Sequence, residues 1–152
     1  MPLPNIFTKA VSDTIMKRIE ALTLSAQPKW GKMNVAQMLA HCNVTYEMIY
    51  DDIHPKPNAV MKFMLGALIK SKVTGETPYK HNGKTAPQFI IKDTKDFGVE
   101  KQRLFSYITK TQQLGESYFD GKSSHSFGKL TKIEWSNMLY KHLDHHLAQF
   151  GV

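Results

Sequence analysis

The sequence contains one cysteine, Cys42, among its 152 residues. A single thiol cannot form a disulfide within the chain, and it cannot supply the several cysteines of a cysteine-cluster zinc site. Folds that depend on internal disulfides are therefore excluded. If the protein binds a metal ion, histidine and carboxylate side chains must hold it.

A long hydrophobic run is also missing. The longest apolar stretch, residues 60–73, is interrupted by Lys62 and Lys70, and the N-terminal residues lack the apolar centre of a signal peptide. We therefore expect a cytoplasmic protein with no membrane partner.

The sequence lacks the motifs of several common enzyme classes. It has no phosphate-binding Walker loop, no dinucleotide-binding glycine pattern, no Cys-x-x-Cys pair and no Gly-x-Ser-x-Gly nucleophile elbow. A serine nucleophile is therefore not indicated, because the serines near residue 125 lie in a stretch without a recognisable pattern.

What is present is the composition of an ordinary globular protein, with 41% hydrophobic and 22% charged residues. The length predicts one domain over residues 1–152. The net charge is +7, but the lysines are scattered and form no block, which favours solubility over nucleic-acid binding as the meaning of the charge.

Apolar residues recur at helical spacing in five segments, four of them long and amphipathic. The predicted helix starts are the capping residues Thr8, Asn34 with Gln37, Asn58, Asp93 or Thr94, and Thr131 with Glu134. Helix ends are predicted near residues 22, 53, 73, 115 and 150, with irregular stretches at 74–92 and 118–130. The pattern predicts an all-α four-helix bundle with an additional helix inserted after the second helix.

The last predicted helix has histidines on its apolar face. His142 and His146 are four residues apart, so they lie one above the other on the face that also carries Trp135 and Leu139. A buried imidazole needs a partner for each ring nitrogen, and two stacked imidazoles can hardly satisfy each other. A shared metal ion would satisfy both. Hydrogen bonds to carbonyl groups or tyrosines are the alternative.

A candidate third ligand lies on the second predicted helix. His41 is at the edge of its apolar face, level with Thr45, and such a position can face a neighbouring helix of a bundle. Three neutral imidazoles from His41, His142 and His146 would bind a divalent first-row metal ion with a coordination position left open, as in catalytic zinc sites.

The other histidines are weaker candidates. His54, next to Asp51 and Asp52, could belong to a second site, but Pro55 follows it directly. His145 and His125 are candidates for proton transfer in catalysis, and solvated surface histidines are the alternative for both. His125 would reach the metal only if its loop folded back.

Two motifs carry a resemblance to a known family, and the segment His125-Ser-Phe-Gly-Lys-Leu-Thr131 is a third specific part of it. The segments Trp30-Gly-Lys-Met-Asn-Val-Ala-Gln-Met-Leu-Ala-His41 and Lys141-His-Leu-Asp-His-His-Leu-Ala-Gln-Phe-Gly151 resemble the DinB-like superfamily of damage-inducible and YfiT-like proteins, and the tail resembles a bacterial family within it. The resemblance implies a four-helix bundle and a three-histidine site for nickel, zinc or iron, with His41, His142 and His146 as ligands.

The resemblance also suggests reaction classes. Members of the superfamily include thiol-dependent S-transferases, a maleylpyruvate isomerase and hydrolase-like proteins, so we expect thiol-dependent transfer or isomerisation first and metal-assisted hydrolysis second. A low-molecular-weight thiol is then an expected cofactor. The alternative is a metal-binding or interaction protein without turnover. The sequence does not identify the small-molecule substrate, and it is compatible with a homodimer.

Overall fold

The computed structural model describes residues 1–152, which are mostly helical. The helices are α1 (Lys9–Glu20), α2 (Val35–Tyr50), α3 (Ala59–Leu68), α4 (Lys70–Thr74), α5 (Phe97–Phe119) and α6 (Lys132–Gln149), with a 3-10 turn at Pro87–Phe89. Two short strands, β1 (Ser123–Ser124) and β2 (Gly128–Lys129), pair antiparallel between α5 and α6. The all-α class is confirmed. None of these helices combines the length and hydropathy that a bilayer span requires.

Helices α1, α2, α5 and α6 pack against one another and enclose the hydrophobic core. Each helix contributes apolar side chains that recur every three or four residues, among them Ile15, Ile19, Met38, Leu39, Leu104, Ile108, Leu139 and Leu143. Full burial of one such side chain stabilises the fold by about 1.5–3 kcal/mol. The contact between α2 and α6 brings the predicted metal-binding positions onto facing helices.

The predicted capping residues begin several of these helices. Asn34 and Gln37 form a reciprocal capping box at α2, and Thr131 and Glu134 form another at α6. The side chain of Asn58 accepts a hydrogen bond from the backbone of α3. These bonds satisfy backbone N–H groups that have no partner within the helix.

Other helix limits differ from the prediction. Helix α2 ends at Tyr50 rather than near residue 53, and α5 begins after Asp96, whose side chain accepts from Val99, rather than after residue 93 or 94. At the predicted end, Gly115, the helical backbone is interrupted by a kink because this glycine has a φ of 72°, and a short helical stretch to Phe119 follows. The stretch predicted to be irregular from 118 to 130 contains the end of α5 and the β1–β2 hairpin.

The inserted segment after α2 was expected to be one covering helix, and it differs in two respects. It divides at Ile69 into α3 and α4, and α3 contains no buried residue. Phe63 is 78% exposed, although α3 is hydrophobic on most sides. The helix is apolar as the sequence indicates, but no other part of the chain packs over it closely enough to bury a residue.

Polar side chains of α6 donate hydrogen bonds to backbone carbonyl groups of α4 and of the residues that follow it. The buried amine of Lys141 donates to the carbonyl oxygens of Lys72, Gly75 and Thr77 at 2.8, 2.6 and 3.1 Å. Burial lowers the pKa of Lys141 to about 8. Asn137 donates to the carbonyl of Thr74 at 3.0 Å. These bonds hold the start of the 75–92 segment against the half of α6 that carries the histidines.

Candidate metal centre

Three histidine side chains converge between α2 and α6. They are His41 of α2 and His142 and His146 of α6, and one ring nitrogen from each lies within 4.8 Å of the others. The Nε2 atoms of His41 and His142 are 3.0 Å apart. Metal–nitrogen bonds of about 2.0–2.1 Å in a tetrahedral site place ligand nitrogens about 3.3 Å from one another, so small side-chain shifts suffice. The three residues are close enough to hold one metal ion.

The local structure explains this convergence. His142 and His146 are one turn apart on α6, and His41 lies at the edge of the apolar face of α2 that turns toward α6. His41 and His146 are buried, and His142 is half-buried. The prediction that His41 faces the last helix is confirmed, and so is the proximity of the three side chains.

The second ring nitrogen of two of these histidines is fixed by a hydrogen bond. Nδ1–H of His41 donates to the carbonyl oxygen of Phe89 at 2.8 Å, and Nδ1–H of His146 donates to Oε1 of Gln149 at 2.8 Å. Both bonds place the proton on Nδ1 and leave the lone pair on Nε2, which faces the centre. Metal-ligating histidines are usually oriented in this way.

The hydrogen-bond partner of His142 can act either as a donor or as an acceptor. Its Nδ1 lies 3.1 Å from the hydroxyl oxygen of Thr45. Without a metal ion, Nε2–H of His142 can donate to Nε2 of His41, and the Thr45 hydroxyl then donates to Nδ1. With an ion on Nε2, the proton of His142 must lie on Nδ1, and Nδ1–H can then donate a hydrogen bond to the hydroxyl oxygen of Thr45. Thr45 therefore accommodates both tautomers of His142.

Burial keeps the three imidazoles neutral. Loss of hydration lowers the pKa of His41, lowers that of His142 well below its ordinary value, and lowers that of His146 to about 3. The proximity of the rings adds to this effect, because a charge on one imidazole opposes a charge on the next. Neutral imidazole is the form that binds metal ions.

Aromatic side chains surround the centre on two sides. The ring of Phe89 lies 5.3 Å from that of His41 and 5.8 Å from that of His142, measured between centroids. On the other side, the ring of His145 lies 5.0 Å from that of His146. The segment 75–92, predicted only as an irregular excursion, thus contributes directly to the surroundings of the site.

His145 belongs to a cluster of rings that we call the aromatic rim, consisting of Trp30, Tyr79, His81 and His145. Trp30 and His81 stack with centroids 3.6 Å apart and planes 8° apart. His145 packs against Trp30 at 5.5 Å and against Tyr79 at 5.7 Å. Sequence reasoning missed Tyr79 and His81. The one signal for them was the unusual length of their loop, which is typical of functional segments.

The remaining predicted candidates lie apart from the three histidines. His125 is in the β1–β2 hairpin, with Nε2 3.4 Å from the carbonyl oxygen of His54 and Nδ1 2.9 Å from Oγ of Ser126. His54 is bound to the carboxylate of Glu47 at 2.7 Å. The fold therefore does not bring His125 or His54 to the metal centre, whereas His145 lies directly beside it.

Two surface grooves lie away from the three histidines. One of about 490 Å³ runs along α5 beside Arg103 and Tyr107, and another of about 460 Å³ lies between α3 and Phe127. Neither is lined by a histidine of the centre. The functional assignment thus depends on the side-chain cluster and its chemistry, and not on the size of a cavity.

Comparison with known proteins gives one match. A protein-family model described as "Protein of unknown function (DUF1569)" matches residues 7–151. No curated protein and no solved structure matches the chain. The matched region includes the three converging histidines and the whole aromatic rim.

Proposed function

The chain belongs to the DUF1569 family, and we propose that it is a metal-dependent enzyme in which His41, His142 and His146 bind one divalent transition-metal ion. The observation that supports this most strongly is the convergence of three imidazoles whose outer nitrogens each have a partner. Histidines in a core that binds no metal are usually satisfied by separate hydrogen bonds, and they do not usually converge on one point. Nickel, zinc and iron all suit such a nitrogen-rich set.

The number of residues in the cluster favours an enzyme over a structural metal site. Structural zinc sites are usually closed by four protein ligands, whereas catalytic sites keep three and leave a position for water or substrate. The group of potential ligands here consists of three residues. A metal-binding protein without turnover would more often have a fourth.

The reaction class is suggested by the resemblance to the DinB-like superfamily, to which we assign the chain. The helical bundle and the positions of His41, His142 and His146 agree with that assignment. When bound, the ion would supply Lewis acidity that makes a thiol or a water molecule a better nucleophile at neutral pH. We therefore propose thiol-dependent transfer or isomerisation, with metal-assisted hydrolysis as the second reaction class.

The chain's own residues prepare the site for such chemistry. Phe89 packs against the rings of His41 and His142 and provides an apolar surface on that side of the centre. His145 is the candidate for proton transfer because its ring is half-buried next to His146. Burial and the neighbouring His81 lower the pKa of His145, so that its imidazole is neutral and able to accept a proton at neutral pH.

The first test is the metal content of untagged protein. We expect about one divalent ion per chain in the wild type, and a loss of most of it in His146→Ala, because two imidazoles bind such ions far more weakly than three. His125→Ala is the matched control, since it removes a histidine outside the cluster. Equal metal content in wild type and His146→Ala would contradict the proposal.

The second test separates the reaction classes. Cobalt-substituted protein is titrated with low-molecular-weight thiols, and the visible spectrum of the cobalt ion is followed. A spectral change in wild type that is absent in His146→Ala supports thiol chemistry. Turnover of esters or amides without any response to thiols would replace transfer by hydrolysis. No response to either would favour a binding protein without turnover.

A further inference from the structure

Two segments without acidic residues meet at the aromatic rim. Residues 21–46 and residues 77–92 contain no aspartate or glutamate, and the stacking of Trp30 on His81 joins them. Together they carry five lysines, all exposed: Lys29, Lys32, Lys80, Lys84 and Lys92. None of the five takes part in a salt bridge. Their charge is therefore not cancelled by direct partners.

Acidic groups on neighbouring elements cancel little of this charge. Asp144, next to His145, is bound by Arg18 at 2.7 Å. Asp93, at the end of the second segment, is bound by Lys95 at 2.8 Å. Glu76, which precedes the second segment, and Asp96, which follows it, take part in no salt bridge. The surroundings of the rim are thus positive, and they would attract anions from solution.

The rim consists of four rings, of which His81 is exposed and Trp30, Tyr79 and His145 are half-buried, with the Lys141 amine over the ring of Tyr79. The rings of Trp30, Tyr79, His81 and His145 contact one another face to face or edge to face, and the cluster continues through His145 to the ligand candidate His146. Ring faces of this kind favour planar unsaturated groups over flexible aliphatic ones. Lys29 is adjacent in the chain to Trp30, and Lys80 lies between Tyr79 and His81, so the positive charges and the rings belong to the same segments.

We infer that the aromatic rim and its lysines recognise a small carboxylate that carries a planar aromatic or conjugated group, and hold it next to the metal centre. The inference rests on the proposed function, which supplies the centre. A divalent ion on three neutral imidazoles keeps its two charges and adds to the attraction for an anion. Charge selects the carboxylate, and the rings select the planar group.

Isothermal titration of zinc-loaded protein with benzoate and with benzamide tests the charge selection. The two probes have the same ring and nearly the same size, but benzamide is neutral. We expect benzoate to bind and benzamide to bind about tenfold more weakly or not at all. Equal binding of the two probes would overturn the inference, and so would a lack of benzoate binding to protein that contains zinc.

Matched variants locate the charge. Lys80→Gln with Lys84→Gln should weaken benzoate binding about fivefold, as expected for two exposed charges. Lys62→Gln with Lys129→Gln removes the same net charge beside α3 and the β1–β2 hairpin, and should leave binding unchanged. If both double variants weaken binding equally, the attraction is a property of the whole surface and the inference fails.

A third variant tests the ring surface. Trp30→Leu should remove the preference for benzoate over acetate, whereas Trp30→Phe should largely keep it. An unchanged preference in Trp30→Leu would contradict recognition by the rim.

Zinc content is measured on every sample, and all titrations are repeated without metal. Loss of zinc binding with lysine-dependent benzoate binding intact would contradict the proposed function and support the rim. Normal zinc content without benzoate binding would support metal binding as proposed and contradict recognition by the rim.

Discussion

Gln149 is hydrogen-bonded to His146, with its Oε1 atom 2.8 Å from Nδ1 of the imidazole. The side-chain Nε2 of Gln149 donates to the backbone carbonyl oxygen of Trp30 at 2.6 Å. The backbone carbonyl oxygen of Gln149 accepts from the backbone N–H of Lys29 at 2.8 Å. The buried side-chain amide of Gln149 therefore connects the candidate ligand His146 to the loop that carries Trp30. A side chain at Gly31 would collide with it, because a Cβ atom there would lie 2.6 Å from Nε2.

Gln149→Leu should lower metal affinity about 10- to 100-fold, the usual effect of losing the hydrogen-bond partner of a metal-binding histidine. The ring of His146 would lose its fixed orientation and tautomer. Competition with a coloured chelator measures the affinity. Gln113→Leu makes the same change on the exposed surface of α5 and should have no effect. Unchanged affinity in Gln149→Leu would mean that this hydrogen bond does not prepare His146 for a metal ion.

Thr45→Val should also weaken metal binding, by about tenfold. Valine has the shape of threonine but no hydroxyl, so Nδ1–H of His142 would be left without an acceptor in the metal-bound tautomer. Thr45→Ser keeps the hydroxyl and should retain most of the affinity. The same chelator competition applies, and equal losses in both variants would indicate an effect of packing instead.

The stability of the metal-free protein should depend on pH in the acid range. The histidines of the unfolded chain titrate near 6.5, whereas burial holds the pKa of His146 at about 3 and lowers those of His41 and His142. The unfolded state therefore takes up protons first as the pH falls. The stability contributed by neutral imidazoles is complete above pH 6.5 and is lost progressively between 6.5 and about 3.

Urea unfolding at several pH values between 7.5 and 4 measures this loss, and the slope should be smaller in His146→Gln, which cannot take up that proton. The same lowered pKa values mean that protons compete with metal for the folded protein only well below pH 6.5. Loss of metal in step with the reference histidine pKa would show that the site is more hydrated than its burial implies.

Thr131→Ala should cost about 1 kcal/mol of stability, because the side chain of Thr131 accepts from the backbone N–H of Glu134 in the capping box of α6. Metal affinity should not change, since the histidines lie in the other half of the helix. Thr8→Ala is a suitable control because Thr8 occupies the same position in α1 but makes no side-chain bond to the helix. Equal costs in urea unfolding would show that the capping bond contributes nothing.

The helices could be predicted because local sequence determines them. Caps such as Asn34 and Thr131 act within four residues, and the apolar spacing of α6 directly defines which face is buried. The same spacing placed His142 and His146 together. The glycine signal was also informative, because the regular helix is interrupted at Gly115, although a short helical stretch to Phe119 follows it.

The exposed helix α3 shows the limit of such reasoning. Hydropathy indicates that burial of Val60 and Phe63 would be favourable in free energy. It does not indicate whether the chain contains a surface that buries them, and both side chains are exposed. The pattern therefore predicted the inserted helix but not whether its apolar side chains would find a partner surface.

The sequence by itself determined the four long helices, the lack of cysteine ligands and the spacing of His142 and His146, because each depends on residue type and on separations of a few residues. The tertiary structure decided that His41 meets them, since an edge position can face solvent or a second helix. It also decided the contacts of His41 with Phe89 and of His142 with Thr45, the hydrogen bond from Gln149 to Trp30, and the stacking of Trp30 on His81. Those contacts join residues far apart in the chain, and the path of the 75–92 segment across α6 is fixed only when the helices have packed.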